Sequence, residues 1–382
     1  MKQDYDVIVA GGSIAGLAFA SEAAKRGARV VVFEEHPEVG EPEKCDGLVS
    51  LRGLRKYGYP PRREAIQSEI SSAVIHSPSG RRLELNAASL EVVVLDRSDY
   101  DKQVADTAMA NGAEIRTGVR VSGTSKKENG IEVRAGETTL LAGYFVDATG
   151  PSSSPRRGIL PAAKYEVEGE WVREHTVEVF LDATKYPGFF AWVIPFGDRI
   201  AKVGAAGLGT SPFRALDGFL SGRSVRILRR VSAPIYVGGP AASFVEGNTL
   251  LVGESAGQVK PTTAGGIMTS IGGAVIAARC VCACLGGGGR ASLERYQKEW
   301  ESAFLGEMKS MLRLRRIFEK LSNEDLDRII AALAAPKLAR KLANSDFDFH
   351  ASAVLGAVGI PGLLKVAKVV ASAEARSLLA ET

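Results

Sequence analysis

The chain has 382 residues, 45% of them hydrophobic, with 42 glycines and a formal net charge of +4. That is enough apolar material for a large core shared by two joined domains, and too little basic charge for nucleic-acid binding. The N-terminus lacks a basic-then-apolar leader and no apolar stretch reaches spanning length, which predicts a cytoplasmic protein.

In chain order, Tyr5 to Glu34 read as one βαβ unit: a strand (Tyr5–Ala10), the turn Gly11-Gly12-Ser13-Ile14-Ala15-Gly16, a helix of small residues (Leu17–Arg26) and a second strand (Arg29–Phe33). Glu34 closes that strand at the spacing where a carboxylate accepts ribose hydroxyls, so the unit predicts a dinucleotide site even though Ser13 replaces the middle glycine of G-x-G-x-x-G. Glu35 follows it directly. The next segment, Gly40-Glu41-Pro42-Glu43-Lys44-Cys45-Asp46-Gly47-Leu48-Val49-Ser50, puts a cysteine close before a glycine in a loop descending from that site.

Ala73–His76 and Arg82–Leu85 flank Ser77-Pro78-Ser79-Gly80, a hairpin signal. Arg97 opens an amphipathic helix from which it reaches toward a pyrophosphate. Tyr144–Gly150 (YFVDATG) reads as a buried strand ending in Asp147, Thr149 and Gly150. His175–Leu181, Phe189–Phe196 and Arg199–Ala206 alternate apolar and polar residues, with a Gly197-Asp198 turn between the last two. In Pro187-Gly188-Phe189-Phe190-Ala191-Trp192-Val193-Ile194-Pro195, an extended backbone sends Phe190, Trp192 and Ile194 to one face.

Leu250 to Ala283 is a strand, a Gly253-Glu254-Ser255-Ala256-Gly257 turn, a loop reaching Gly265, Gly266 and Ile267, and a helix of small and apolar residues. Such a turn ahead of a helix offers backbone N–H groups to a phosphate or a flavin edge. A second glycine segment so far from the first suits a long cofactor bound in two parts, so FAD is expected rather than NAD. Cys280, Cys282 and Cys284 end this helix as small core residues, and the four histidines (His36, His76, His175, His350) receive no role. No metal-ligand spacing appears.

These elements imply a discontinuous FAD-binding domain (1–57, 92–162 and 247–285), an antiparallel-sheet substrate domain (58–91 and 163–246) and a helical C-terminal region (286–382). Ser322-Asn323-Glu324-Asp325 begins one tail helix as an N-cap. Ala351–Leu364 is apolar but broken by Gly356, Gly359 and Pro361, so it reads as a helix covering the core or as a patch that embeds in a lipid surface.

The sequence resembles the geranylgeranyl reductase family of flavoproteins, within the p-hydroxybenzoate-hydroxylase-like superfamily, from Asp4 to about Glu301. GGSIAG with Glu34 matches the family's FAD fingerprint. PEKCDGLVS is similar to its Cys-Gly loop, with Asp46 where glycine is common. PGFFAWVIP resembles its P-x-x-Y-x-W-x-F-P motif, with Phe190 for tyrosine, and GESAGQVKPTTAGGI resembles its G-D-A-A-G…P…G-G-G-I segment, with Glu254 for aspartate. The resemblance implies a Rossmann-like FAD domain and reduction of isolated C=C bonds in prenyl chains by hydride from flavin N5 plus a proton.

Candidate cofactor contacts are Gly11, Gly12, Ser13, Ala15, Gly16, Glu34, Glu35, Lys44, Cys45, Asp46, Gly47, Arg97, Val121, Asp147, Gly150, Gly253, Glu254, Gly257, Gly265, Gly266 and Ile267. Cys45, Phe190 and Trp192 are the catalytic candidates, and Phe190, Trp192 and Ile194 line the substrate. The partner implied is a prenyl lipid, with peripheral contact at a membrane surface the companion expectation. No second dinucleotide fingerprint marks an NADPH site, so ferredoxin is as good a candidate for the electron donor. The rival reading is a flavin monooxygenase or halogenase, because F-x-W-x-I-P is close to the halogenase W-x-W-x-I-P strand. Gly257 after Ala256, where aromatic hydroxylases carry histidine, favours the reductases.

Overall fold

The computed structural model describes residues 3–86, 91–151, 158–336, 339 and 347–348. Its first sheet runs, in spatial order, Val245–Glu246, Thr249–Leu251, Thr138–Asp147, Tyr5–Ala10, Val30–Phe33, Glu114–Arg116, and is parallel except at the Val245–Glu246 edge. At its centre residues 7–10 and Val30–Phe33 are unbroken apolar runs because both faces are covered there. Val7 and Val9 face the helices Ile14–Ala24, Arg97–Ala110 and Ile267–Ala283, while Ile8 and Ala10 face an antiparallel flap, Val121–Lys127 with Gly130–Ala135. Ile14–Ala24 is buried almost all round, and its alanines and glycine admit close packing against the equally small-residue helix Ile267–Ala283.

The second sheet has the order Arg226–Ser232, Ala162–Glu168, Ile200–Ala206, Ala191–Gly197, Thr176–Phe180, Ser72–His76, Arg82–Asn86. It carries the expected strands, and the hairpin closes through Gly80 N–H to the Ser77 carbonyl at 2.9 Å. One pair differs from the antiparallel expectation. Thr176–Phe180 and Ser72–His76 run parallel, because they come from separate stretches of chain that meet edge to edge.

Period-2 alternation divides this sheet cleanly. Ala163, Tyr165, Val167, Ala191, Val193, Ala201, Val203 and Ala205 pack under the helix Pro212–Leu220, which pattern reading did not anticipate. Trp192, Ile194, Lys164 and Lys202 alternate with them and therefore take the opposite face. A small sheet, Leu48–Ser50, Val92–Leu95 and Ile66–Ile70, joins that face through a cluster of Ile70, Val92, Val94, Val177 and Ile194.

The late helix continues through a π-turn at Cys284–Gly288. Contrary to the expectation that no apolar stretch is long enough to span, Ile267–Gly288 qualifies by length and composition at 22 residues, yet 72% of its apolar window is buried in the protein. The helices Ala291–Trp300, Gly306–Phe318 and Asn323–Leu333 follow, the last opened by a capping box in which Asp325 N–H donates to Ser322 Oγ and Ser322 N–H to Asp325 Oδ2. The apolar segment 351–364, His350 and 152–154 lie outside the described residues.

Candidate functional site

Three distant segments converge at the C-terminal edge of the parallel sheet, where open α/β sheets bind their ligands. Ala148 N–H donates to the Ala10 carbonyl at 2.8 Å and Val252 N–H to the Asp147 carbonyl at 3.0 Å. Asp147 Oδ1 accepts from Thr149 N–H at 3.0 Å and from Ser255 Oγ at 3.1 Å, and Gly150 N–H donates to Ser255 Oγ at 2.9 Å. Gly253 adopts φ +69°, and a Cβ there would fall 2.5 Å from Ala15 Cβ, so the late turn meets the first helix only as glycine. Gln258, fully buried, accepts from Gly253 N–H at 2.8 Å and donates to Tyr296 Oη at 2.8 Å, which pins the turn from beneath.

Glu34 is buried, and both its oxygens are engaged. Oε2 accepts from Gly12 N–H at 2.6 Å, while Oε1 accepts from His36 N–H at 3.0 Å and lies 2.5 Å from His36 Nδ1. His36, left without a role by sequence reading, thus orients the acid; its position two residues after Glu34 was the only signal. Glu35 is exposed and pairs with Arg120 at 3.4 Å. Val121 packs on the flap side of the sheet, with Val119 N–H on the Glu34 carbonyl at 2.9 Å.

Arg97 is buried and gives Asp101 bonds of 2.9 to 3.0 Å, with Ser13 Oγ 3.4 Å from its Nη2. Burial works against its charge, yet Asp101 and the neighbouring Cys45 side chain more than offset this and hold its pKa above the ordinary arginine value. The guanidinium therefore sits charged beside Ser13 of the Gly11–Gly16 turn, with Asp101 as the partner that sequence reading missed.

The helices Ile14–Ala24 and Ile267–Ala283 both begin without a side-chain cap and without an acid in the first turn. Among the described residues no side chain caps their leading N–H groups, which suit anionic or carbonyl oxygens. Together with Glu34, Arg97 and the glycine turns, these residues fit FAD.

Glu254 lies in the late turn with its carboxylate near Gly150, and burial raises its pKa to about 7, partly countered by the Tyr236 backbone N–H. An ordinary carboxyl titrates near 4.5. The folded protein therefore holds a proton that the unfolded chain has lost, so this contribution is full below about pH 4.5 and disappears as pH rises through 7. Thermal unfolding of the FAD-free protein should fall in midpoint between pH 5 and pH 8, by the equivalent of about 2–3 kcal/mol. Glu254→Gln should flatten that slope; parallel profiles for the two proteins would remove Glu254 as its source.

The loop after the Glu34 strand lies over the open face of the second sheet. Lys164 and Lys202, each 1% exposed, rise from that face into it. Lys164 Nζ donates to the Cys45 carbonyl at 2.9 Å, and Lys202 Nζ to Glu43 Oε1 at 2.8 Å and to the Asp46 carbonyl at 3.3 Å. Lys44 and Cys45 are exposed. Neither buried lysine was foreseen, because a lysine on an alternating strand reads as the solvent side.

Trp192 Nε1 donates to Asp46 Oδ2 at 2.8 Å, and the indole lies against Gly204, where a Cβ would meet Cε2 at 2.1 Å. Phe190 precedes the strand rather than lying in it. It stacks on Phe189 at 4.1 Å and meets Trp192 edge-on at 5.9 Å. Ile194 shares the Trp192 face but is 5% exposed, packed with Ile70 and Val177 behind the wall. Ala264, in the loop before Gly265 and Gly266, packs like Phe190 and Trp192 against the apolar cluster of Leu160, Ala162, Phe189, Ala206 and Val237. Lys260 of that loop makes a buried ion pair with Asp348 at 3.1 Å and lies over the Phe347 ring, and Phe347 packs against the same cluster of Ile70, Val92, Val94, Val177 and Ile194 as Trp192 does.

The family described as FAD dependent oxidoreductase matches residues 6–153. The chain is 30% identical to digeranylgeranylglycerophospholipid reductase 2 of Methanopyrus kandleri, over 96% of this chain and 99% of that protein. Among solved structures it is similar to a geranylgeranyl bacteriochlorophyll reductase-like protein from Thermoplasma acidophilum, with TM-score 0.86, 22% identity, and coverage of 97% of this chain and 98% of that one. The p-nitrophenol 4-monooxygenase PnpA of Pseudomonas putida shares the fold at TM-score 0.71 and 16% identity, over 92% of this chain and 98% of that one.

Proposed function

The chain belongs to the digeranylgeranylglycerophospholipid reductase family, and from that membership we propose that it saturates isolated C=C bonds in geranylgeranyl chains of isoprenoid lipids, with FAD as its cofactor. The observation that carries this reading at the site is that Ala264, Phe190 and Trp192 all pack against one apolar cluster of Leu160, Ala162, Phe189, Ala206 and Val237. The late loop and the aromatic strand thus share one apolar support, suited to an apolar chain.

Bound and reduced, FAD supplies a hydride. The residues of the chain must deal with what hydride alone leaves undone. An unconjugated trisubstituted alkene accepts hydride poorly, so a proton has to be delivered and positive charge builds on the tertiary carbon. Trp192 and Phe190 offer π faces to that charge, worth about 0.5–2 kcal/mol each. This is small beside a full barrier, so alignment of the prenyl chain along the wall contributes more. Phe190 acts by shape and π-density alone, having no hydroxyl. Cys45, exposed at the loop and neighbouring Arg97, carries the exchangeable proton on Sγ or holds a water that does.

The test is incubation of FAD-loaded, dithionite-reduced protein with a geranylgeranyl-chain glycerophospholipid, followed by mass spectrometry of the lipid. The expected result is a gain of two hydrogens per reduced bond. An unchanged lipid, or oxygen incorporated into an aromatic substrate, would overturn the assignment.

A further inference from the structure

Asp46 occupies an unusual position for a carboxylate. Its Oδ2 is taken by the Trp192 indole N–H at 2.8 Å, while its buried Oδ1 has no hydrogen-bond partner among the described residues. Lys164 Nζ stands 3.7 Å from Oδ1, but gives its own bond to the Cys45 carbonyl. The placement follows from sheet register. Lys164 and Trp192 both pair with Gly204, so the three form one row across adjacent strands. The absent side chain at Gly204 leaves room for the indole to lie over the row and reach the loop. Lys202, one row along, holds Glu43 and the Asp46 carbonyl, which fixes the height of the loop above the ring.

We propose that Asp46 is a positioning residue that acts through Trp192, locking the indole in one orientation and, by its negative charge at Nε1, enriching the π face that meets developing positive charge on a prenyl substrate. The inference rests on the reductase reading for its substrate, but the electrostatics do not depend on it. A carboxylate accepting from an indole N–H pushes electron density into the ring system, and a cation over the opposite face is attracted by that density. Lys164 sets the balance. Its Nζ, 3.7 Å from Oδ1 and outside hydrogen-bonding distance, leaves the Asp46 carboxylate directed at the indole. Asp46 itself transfers no proton in this scheme.

The three tryptophans make a direct readout available, because the buried Nε1 atoms of Trp171 and Trp300 have no hydrogen-bond partner among the described residues. In an indole-15N-labelled spectrum of the FAD-loaded full chain, one resonance should lie downfield of the other two and vanish in Trp192→Phe. In Asp46→Asn, which keeps an acceptor oxygen but removes the charge, it should move upfield toward the others. An unmoved resonance overturns the proposal. Should Asp46→Asn fail to fold, the wild-type spectrum decides, since a Trp192 resonance that is not the most downfield of the three is incompatible with the bond.

In turnover, Asp46→Asn should lower kcat about 10-fold with KM changed less than about 2-fold. The same substitution in a Trp192→Phe background should add no further loss. An equal loss in both backgrounds would place the action of Asp46 elsewhere. Absence of lipid reduction by the wild type would refute the reductase reading alone, while the indole shift would still decide the link between Asp46 and Trp192.

Discussion

Gly16→Ala is expected to yield protein with little or no bound flavin. A Cβ at this position would lie 2.0 Å from the Gly11 carbonyl oxygen and 3.2 Å from Val9 Cγ1. The obstacle is backbone, so no rotamer change relieves it and the helix Ile14–Ala24 must lift from the strand beneath. That motion carries the helix N-terminus away from the nucleotide turn and disturbs the contact of Ala15 with Gly253. Overpacking of this kind costs about 1–3 kcal/mol of stability. The larger effect is expected on the cofactor, because this helix keeps the turn Gly11–Gly16 and the late turn at Gly253 in register. Flavin absorbance per protein should drop at least about 10-fold, a change of roughly 1.4 kcal/mol or more in binding. Gly218→Ala serves as the control. That glycine is exposed in the helix Pro212–Leu220 with nothing within 4 Å of a new Cβ, so flavin content should stay unchanged. Stoichiometric flavin in Gly16→Ala would refute the argument.

Lys202→Met should be the most damaging conservative-volume change in the second sheet. Lys202 is 1% exposed and pairs with Glu43, whose side chain is 10% exposed. Removing the cation strands a buried carboxylate and withdraws the bonds to the Asp46 carbonyl and Gln67 Oε1, each at 3.3 Å. Breaking a buried pair from one side costs about 3–5 kcal/mol, because the remaining charge has no compensation. The urea midpoint should fall accordingly. Adding Glu43→Gln to Lys202→Met should recover part of the loss, since the stranded charge is then gone. A double variant no more stable than Lys202→Met would show that the damage is steric rather than electrostatic.

Much of this architecture was legible in the chain, and the reasons are local. The turn Gly11–Gly16 with Glu34 combines a strand, a tight turn and an acid at fixed spacing, and the structure brings Gly12 N–H onto Glu34. The second sheet announced itself by alternation, and the alternation also told which residues share a face with Trp192. What could not be read is what the far face holds. Lys164 and Lys202 alternate with alanine, tyrosine and valine as solvent-facing lysines would, and only the loop folding over them turns that surface into an interior. The partnership of Arg97 with Asp101 is one helical turn long and was available in principle; its burial beside Ser13 was not, since that depends on packing between elements far apart in sequence. The late helix departs from expectation in length, not in place: expected to be too short to span, it reaches 22 residues while staying in the core. The π-turn at Cys284–Gly288 supplies the added length, and contacts with the helices Ile14–Ala24 and Ala291–Trp300 bury it.

The parallel pairing of Thr176–Phe180 with Ser72–His76 bears on how specificity can be transplanted. The two stretches are a hundred residues apart, yet they share one hydrogen-bonded edge, reinforced by Ser72 Oγ to Thr176 Oγ1 at 2.8 Å and His76 Nε2 to Glu178 Oε2 at 2.6 Å. A chimera that takes the later stretch from a relative and keeps the earlier one would break a strand seam, not a linker. Exchanges between family members that aim to move substrate preference therefore have to carry both stretches as a single cassette.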